Sequence, residues 1–412
     1  YKTRNEDSYL QFCLGVINDS LNALKAEYDI IVIEGAGSPA EINLMSQDVA
    51  NMKVAHLAGA PVLLVSDLER GGALAAAAGT LLLLPEEDRE LVAGLVFNKF
   101  RGDKSLLEEG LAEIEKITGK PVLGVVPSLS VVRPAEEDGV ALEVKRTAVG
   151  QTGEKLRIGA VRLPHISNFT DLEALALEAD VDLFYAESAG ELYGADAVIV
   201  PGSKNTVSDR RFLAGNGFDK EIRKLAAGGI PVVGICGGFQ LLGRRLHDPG
   251  GNESGGDPVT FEGLGLLEAE TTFYAQKTVT RVAARALLPF AGEEEVEGYE
   301  IHKGQTVCLP GCKPAFMLQK DGCAVPDGAV NAAGTVWGTY IHGVFDRPGF
   351  RRAWLNSLRG KKGWEALSAG NAECIKGARF DDLARCVREA LDMSAVYRLL
   401  GLDGPKEGGP WA

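Results

Sequence analysis

Ile230-Pro-Val-Val-Gly-Ile-Cys236-Gly-Gly-Phe-Gln-Leu-Leu-Gly243 is a short apolar run that stops at a cysteine, followed by two glycines and a new apolar stretch. The run reads as a buried strand and the residues beyond it as the start of a helix. A strand that turns tightly into a helix at a cysteine is a nucleophile elbow, in which the turn holds the reactive side chain in a strained backbone. Its neighbours have to be small because backbone segments approach closely there. The helix N-terminus beside the sulfur favours thiolate, and the backbone N–H of Gly237 is placed for a developing oxyanion. An isolated cysteine is more often a buried structural thiol; the strand–Cys–Gly–Gly–helix setting singles out Cys236.

Two further strand ends carry the same signature. Val336-Trp-Gly-Thr-Tyr-Ile-His342-Gly-Val-Phe-Asp346 is an apolar run that ends at a histidine. A histidine at the C-terminal edge of a parallel strand can reach a nucleophile on the neighbouring strand end, as a catalytic base must. Val198-Ile-Val-Pro-Gly202-Ser203-Lys-Asn-Thr206 ends a third run. There Gly202 can supply a second oxyanion N–H, an ordinary β-turn being the alternative.

Outward from this region the chain reads as α/β throughout. Leu156–Leu163, Ala197–Val200, Pro231–Ile235 and Thr335–Ile341 form one series of apolar runs, and Tyr28–Ile33, Pro61–Val65, Leu91–Phe97 and Pro121–Val126 form an earlier one. Continuous apolar runs separated by helical stretches such as Lys104–Thr118 are the pattern of doubly wound parallel sheets. The polar segment Lys145–Lys155 predicts a boundary between two doubly wound α/β domains, 1–150 and 156–353. A helical C-terminal tail, 354–412, would follow, with one amphipathic helix over Asp381–Leu400. Asp248–Asp257 reads as a glycine-rich surface loop.

Bulk properties narrow the class. Of 412 residues 45% are hydrophobic and 24% charged, as in an ordinary soluble enzyme. The net charge of −14 argues against a nucleic-acid partner. No apolar run approaches the roughly 20 residues that span a bilayer, and the first residues do not read as a signal peptide. Seven irregularly spaced cysteines imply free thiols in a reducing cytoplasm. Cys308 and Cys312 suggest a metal knuckle, but no second pair supports it. A homo-oligomer remains open.

The Cys236, His342 and Gly202 segments, in this arrangement, resemble class I (triad-type) glutamine amidotransferases. In these the cysteine attacks the side-chain amide of L-glutamine, giving a glutamyl thioester and ammonia. Most members carry a glutamate two residues after the histidine to orient it; here that position is Val344, and no orienting carboxylate is visible at the expected place. Further segments narrow the resemblance: Arg162-Leu-Pro-His-Ile-Ser-Asn-Phe-Thr-Asp171, Gly298-Tyr-Glu-Ile-His-Lys-Gly-Gln-Thr306, Val32-Ile-Glu34-Gly-Ala-Gly-Ser38, Val65-Ser-Asp67-Leu-Glu-Arg70 and Phe97-Asn98-Lys-Phe-Arg-Gly-Asp103. Together they are similar, over nearly the whole chain, to the cobyric acid synthase family of cobalamin biosynthesis.

That resemblance implies a ligase fuelled by ATP and Mg²⁺. It would amidate the b, d, e and g carboxylates of adenosylcobyrinic acid a,c-diamide, a corrinoid, through acyl phosphates made in a dethiobiotin-synthetase-like, P-loop-type first domain. Glu34 then fits a Mg²⁺ ligand and Asn98 adenine recognition. Asn43, Asp48, Arg70 and Arg101 fit the substrate, in a local basic group with Lys99 and Lys104. Glu300 and His302 fit the glutamine pocket or a domain interface. No phosphate loop of the form GxxxxGK[ST] occurs. In the family it lies upstream of the VIEGAGS segment, so the chain reads as truncated at its N-terminus, and weak ATP binding is expected of it. A cobyrinic acid a,c-diamide synthase, a cell-wall amidotransferase, a chain retaining glutaminase activity alone, and a non-catalytic corrinoid-binding module remain alternatives.

Overall fold

Parallel strands buried on both faces need helices above and below them, and both halves of the chain supply these. The computed structural model describes residues 6–69, 71–128, 155–320, 322–369 and 372–402. The chain forms two compact units, Tyr1–Arg133 with Ala378–Ala412, and Pro134–Gly377. The boundary expected over Lys145–Lys155 lies almost wholly outside the described residues.

The first unit opens with helices α1 (Glu6–Glu27) and α2 (Met52–Ala58). Strands β1 (Val62–Asp67), β2 (Val92–Phe100) and β3 (Val122–Pro127) then form a parallel sheet in that order. Helices α3 (Ala73–Leu83), α4 (Glu86–Leu91) and α5 (Glu108–Thr118) make the crossovers. Ala77 and Leu81 of α3 and Ile114 of α5 bury against Leu95, Phe97 and Val125 of the sheet. The strand expected over Tyr28–Ile33 does not form: the segment is irregular, and Val32 is 91% exposed. An apolar run becomes a strand only where a neighbouring edge takes its N–H and C=O groups, and among the described residues no strand pairs with it.

The second unit holds a six-stranded sheet and, beside it, a second sheet that the sequence did not announce. In chain order its first elements are β4 (Leu156–Val161), β5 (Ile166–Ser167), α6 (Glu173–Ala176), β6 (Val181–Ala186), β7 (Ala197–Val200) and β8 (Gly202–Ser203). Next come α7 (Thr206–Gly215), α8 (Phe218–Ala227), β9 (Val232–Ile235), α9 (Gly237–Leu242), β10 (Arg245–Asp248) and β11 (Val259–Glu262). The last strands are β12 (Ala269–Ala286), β13 (Glu295–Cys308), β14 (Phe316–Lys320), β15 (Cys323–Asp327), β16 (Ala329–Val330) and β17 (Val336–Thr339). The main sheet runs β16-β17-β9-β7-β4-β6, parallel except for β16. The second, β11-β10-β12-β14-β15 with β13 on β12, is largely antiparallel. Asp248–Asp257 is no loose surface loop at its root, because buried Asp248 accepts the N–H groups of Asn252, Glu253 and Ser254 at 2.7–2.9 Å.

The C-terminal region divides, which corrects the single tail expected from 354. Helix α10 (Pro348–Lys361) spans that boundary and buries Phe350, Trp354, Leu355 and Leu358 in the second unit's core. Its buried Arg351, Arg352 and Arg359 pair with Glu178 and Asp180; charges stay buried only when paired in this way. The amphipathic helix expected over Asp381–Leu400 is two helices, α11 (Ala372–Ala390) and α12 (Met393–Leu399). The chain breaks at Asp392, whose N–H bonds Leu123 O of β3 at 2.7 Å and whose carboxylate accepts from Ala395 N at 2.9 Å, capping α12. Val387, Leu391, Ala395 and Leu399 then cover Val96, Leu123 and Val126 of the first sheet.

Candidate active site

β17, β9 and β7 are adjacent parallel strands, with Thr339 beside Ile235 and Val200 beside Gly234. Their C-terminal ends therefore lie side by side, where ligands bind open α/β sheets. Cys236 follows β9, His342 follows β17 and Gly202 follows β7.

Cys236 has φ +50° and ψ −107°, a conformation that L-residues rarely adopt, and it is the N-cap of α9. The strain is held by close packing. A Cβ at Gly238 would lie 1.8 Å from Val200 O, and one at Gly234 would lie 2.7 Å from the Gly238 backbone. The elbow therefore tolerates nothing larger at these two positions. Gly237 lies against β8, where a Cβ would be 2.8 Å from Ser203 N; a Cβ at Gly202 would be 3.2 Å from His342 Cε1. Gly202, Gly237, Cys236 and His342 thus come together. The Cys236 thiol donates to Ile301 O at 3.8 Å.

His342 does have an orienting carboxylate, and it comes from a fourth strand end. Beyond β4 the chain passes through β5, which pairs with β8, into a 3₁₀ turn over Phe169–Leu172. Asp171 in this turn is buried; its Oδ2 lies 2.7 Å from His342 Nδ1 and its Oδ1 accepts Gly343 N at 2.8 Å. Both oxygens are used, so ring and backbone are fixed together. With Nδ1 taken, Nε2 remains for the sulfur. Burial works against a charged His342, but hydrogen bonds and charge from Asp171 and Cys236 outweigh it and raise the ring to about 10. The ring also stacks on Tyr299 at 5.2 Å, and the two residues exchange backbone hydrogen bonds of 2.9 and 3.2 Å. Asp171 closes the Ser-Asn-Phe-Thr-Asp segment, and the sequence alone assigns it no role. The signal that could have found it is its position as a carboxylate just past a parallel strand.

The remaining expected residues sort by unit. His302 stacks on Tyr340 at 3.8 Å and its Nδ1 bonds Gly304 O at 2.7 Å; burial holds it below the usual histidine range. Glu300 is buried in an ion pair with Lys320. In the first unit Asn98 lies in the C-terminal part of β2, two residues before its end, with its Oδ1 accepting from Lys99 N at 2.8 Å. The basic group expected there is balanced by acids: Lys99 pairs with Asp67 at 2.8 Å and Arg101 with Glu69 at 2.6 Å. Asp48 accepts Ala50 N and Asn51 N at 3.1 and 3.0 Å, which is a turn cap rather than a carboxylate aimed outward. Glu34 and Asn43 are exposed. Arg70 lies outside the described residues. No helix among the described residues is long and apolar enough to cross a membrane.

Comparison with known proteins agrees with the two-part reading. Residues 157–350 match a CobB/CobQ-like glutamine amidotransferase domain and residues 10–136 an AAA domain. A cobyric acid synthase from Pelotomaculum thermopropionicum is 46% identical over 98% of this chain and 78% of its own length. One from Desulforamulus reducens is 43% identical over 96% of this chain and 78% of its own. One from Salmonella typhimurium is 46% identical over 92% of this chain and 75% of its own. On that identity, sustained across both units, the chain belongs to the cobyric acid synthase family.

Proposed function

We propose that the protein is a glutamine-hydrolysing carbon–nitrogen ligase that amidates the b, d, e and g carboxylates of adenosylcobyrinic acid a,c-diamide, giving adenosylcobyric acid. The observation that carries the reading is the Cys236–His342–Asp171 alignment, with Cys236 and His342 past the adjacent strands β9 and β17 and Asp171 past β4 in the same sheet, in a chain of this family. His342 holds the proton that Cys236 gives up, and the thiolate attacks the side-chain carboxamide carbon of glutamine. The oxyanion forms between the elbow and β8, where Gly237 N–H and the Gly202 backbone offer donors. His342 passes its proton to the departing nitrogen, which leaves as ammonia. A water molecule, deprotonated by His342, then cleaves the glutamyl thioester to glutamate and free Cys236. Asp171 keeps the ring in register through both proton transfers.

Carboxylate activation belongs to the first unit. Mg²⁺ beside phosphates takes one or two protein carboxylates, with water and phosphate oxygens filling the rest. Exposed Glu34, ahead of Gly-Ala-Gly, fits that donor set. Among the described residues no three acidic, histidine or cysteine side chains form a closed cage. Asn98, in the C-terminal part of β2, offers an amide suited to adenine. ATP would supply the phosphoryl group that makes the corrinoid carboxylate reactive toward ammonia. Glu300 and His302 would line the glutamine side of the second unit.

The test is Cys236→Ser. In a version that carries the phosphate loop, glutamine-dependent synthesis should vanish while synthesis from free ammonia persists, and in the unsubstituted chain a diazo-ketone glutamine analogue should label Cys236 alone. Loss of both activities in a folded variant would make Cys236 a structural residue.

A further inference from the structure

Two cysteines outside this site face each other. Cys308 is the last residue of β13, and Cys312 follows across Leu309-Pro310-Gly311. The Cys312 thiol donates to Cys308 Sγ at 2.7 Å. That separation exceeds a sulfur–sulfur bond of about 2.05 Å by about a third, so the two sulfurs are in close contact without being joined. Among the described residues no other two cysteine sulfurs meet in this way.

The fold enforces the approach from both sides. Cys308 is held in the β12–β13 ladder opposite Ala269. Lys313, next to Cys312, bridges Val330, whose N–H bonds Lys313 O at 2.9 Å. Between the anchors Pro310 restricts φ, Gly311 takes φ +96°, and Cys312 N closes the turn on Leu309 O at 3.0 Å. Closure of the five-residue loop is therefore complete before any bond forms, so little further chain entropy is lost on joining the sulfurs. The effective concentration of one thiol at the other should exceed the ~mM range of short flexible tethers. Access is unequal, since Cys308 is exposed and Cys312 half-buried.

We propose that Cys308 and Cys312 are a reversible dithiol–disulfide pair, oxidised by low-molecular-weight disulfides. Cys308 is the attacking sulfur. As thiolate it attacks one sulfur of R–S–S–R; that bond breaks and the first R–S⁻ leaves, taking up the proton that Cys308 lost. Cys312 then attacks Cys308 Sγ in the mixed disulfide, and the second R–S⁻ leaves with the Cys312 proton. Two protein thiols are oxidised to one disulfide and R–S–S–R is reduced to two R–SH. The order of attack fits the surroundings: burial, with the Cys308 contact, pushes the Cys312 thiol up to about 12, so it serves as the donor while both are reduced. Once Cys308 is capped, its charge no longer opposes ionisation of Cys312.

The experiment equilibrates the full chain with oxidised and reduced glutathione in varied ratio, quenches with acid, alkylates, and maps the peptides. The expected result is joint loss of the Cys308 and Cys312 thiols with a single midpoint, a Cys308–Cys312 linked peptide, and no retained glutathione. Cys312→Ser should trap glutathione on Cys308, and Cys308→Ser should leave Cys312 alkylatable. Gly311→Val, strained at φ +96°, should need at least a tenfold more oxidising ratio for half-oxidation. The proposal is overturned if both wild-type thiols stay alkylatable throughout, if wild type stops at a stable mixed disulfide, or if Gly311→Val leaves the midpoint unmoved. The wild-type arm needs no variant to fold.

Discussion

His342 Nδ1 and Asp171 Oδ2 are 2.7 Å apart across 171 residues of chain, both buried. The carboxylate sits on the turn beyond β4 rather than two residues after the histidine. It serves the same end, because a buried imidazole is aimed by whichever acceptor takes its second nitrogen. The same Asp171 accepts Gly343 N, so it also shapes the turn that presents the ring.

Asp171→Asn keeps the shape and removes the charge. An amide at that place can present its NH₂ to Nδ1 and stabilise the wrong tautomer. Glutaminase kcat should fall by up to roughly 10⁴-fold, the loss that follows when a triad aspartate is neutralised to asparagine. A steady-state assay at about neutral pH checks it; a loss under about threefold would remove Asp171 from the catalytic unit.

The raised ionisation of His342 gives a stability that depends on pH. Its folded value of about 10 lies above the reference of 6.5. Between these values the folded chain binds more protons than the unfolded one, so stability falls as pH rises. The contribution is whole below about 6.5 and gone once pH has passed through about 10. The thermal-melting advantage of the wild type over His342→Gln should shrink steadily across that window. A difference that grows with pH would contradict the ion pair.

Backbone strain at Cys236 separates two inactive variants. Cys236→Ala keeps a Cβ at φ +50°, whereas Cys236→Gly relieves it. Strain of this kind costs about 1–3 kcal/mol, and glycine returns about 0.5–1 kcal/mol through the freer unfolded chain. Urea unfolding should therefore find Cys236→Gly more stable than Cys236→Ala, despite its smaller side chain. Equal stability would mean that the elbow stores no strain.

Gly238→Ala meets a wall of backbone, with its Cβ 1.8 Å from Val200 O. Neither the start of α9 nor the end of β7 can yield without opening the elbow or the β7–β9 ladder, so a loss of about 3 kcal/mol or more and loss of glutaminase activity are expected. Gly215→Ala, at the end of α7 with no atom within 4 Å of the added Cβ, should behave as wild type. Melting curves of the two variants make the comparison.

Much of the site was legible because it rests on local chemistry. The strand–cysteine–glycine–glycine–helix segment needs only its own backbone to specify an elbow, and Cys236 has the positive φ that the motif demands. The apolar runs ending at His342 and Gly202 became β17 and β7, flanking β9, as continuous runs in parallel sheets do. The run at Tyr28–Ile33 had the same composition and failed, because a strand also needs an edge to pair with. The long β12–β13 ribbon was missed although its burial alternates in part, as at Ala269, Thr271 and Phe273. The glycines and polar residues of Gly298–Thr306 in the second segment break the apolar alternation that marks a strand.

By itself the sequence determined the chemistry: a cysteine elbow, a histidine at a strand end, and segments spread along the chain that resemble one family. These are set by residue type and short spacing, which a chain carries before it folds. The tertiary structure alone decided which carboxylate aims His342, since Asp171 and His342 meet only once β4, β7, β9 and β17 lie in one sheet. It likewise decided that Cys308 and Cys312, whose spacing alone suggests only an unsupported metal knuckle, stand sulfur to sulfur at the end of β13. Contacts between distant residues follow from how strands order themselves in a sheet. That order depends on which apolar faces bury together, not on spacing along the chain.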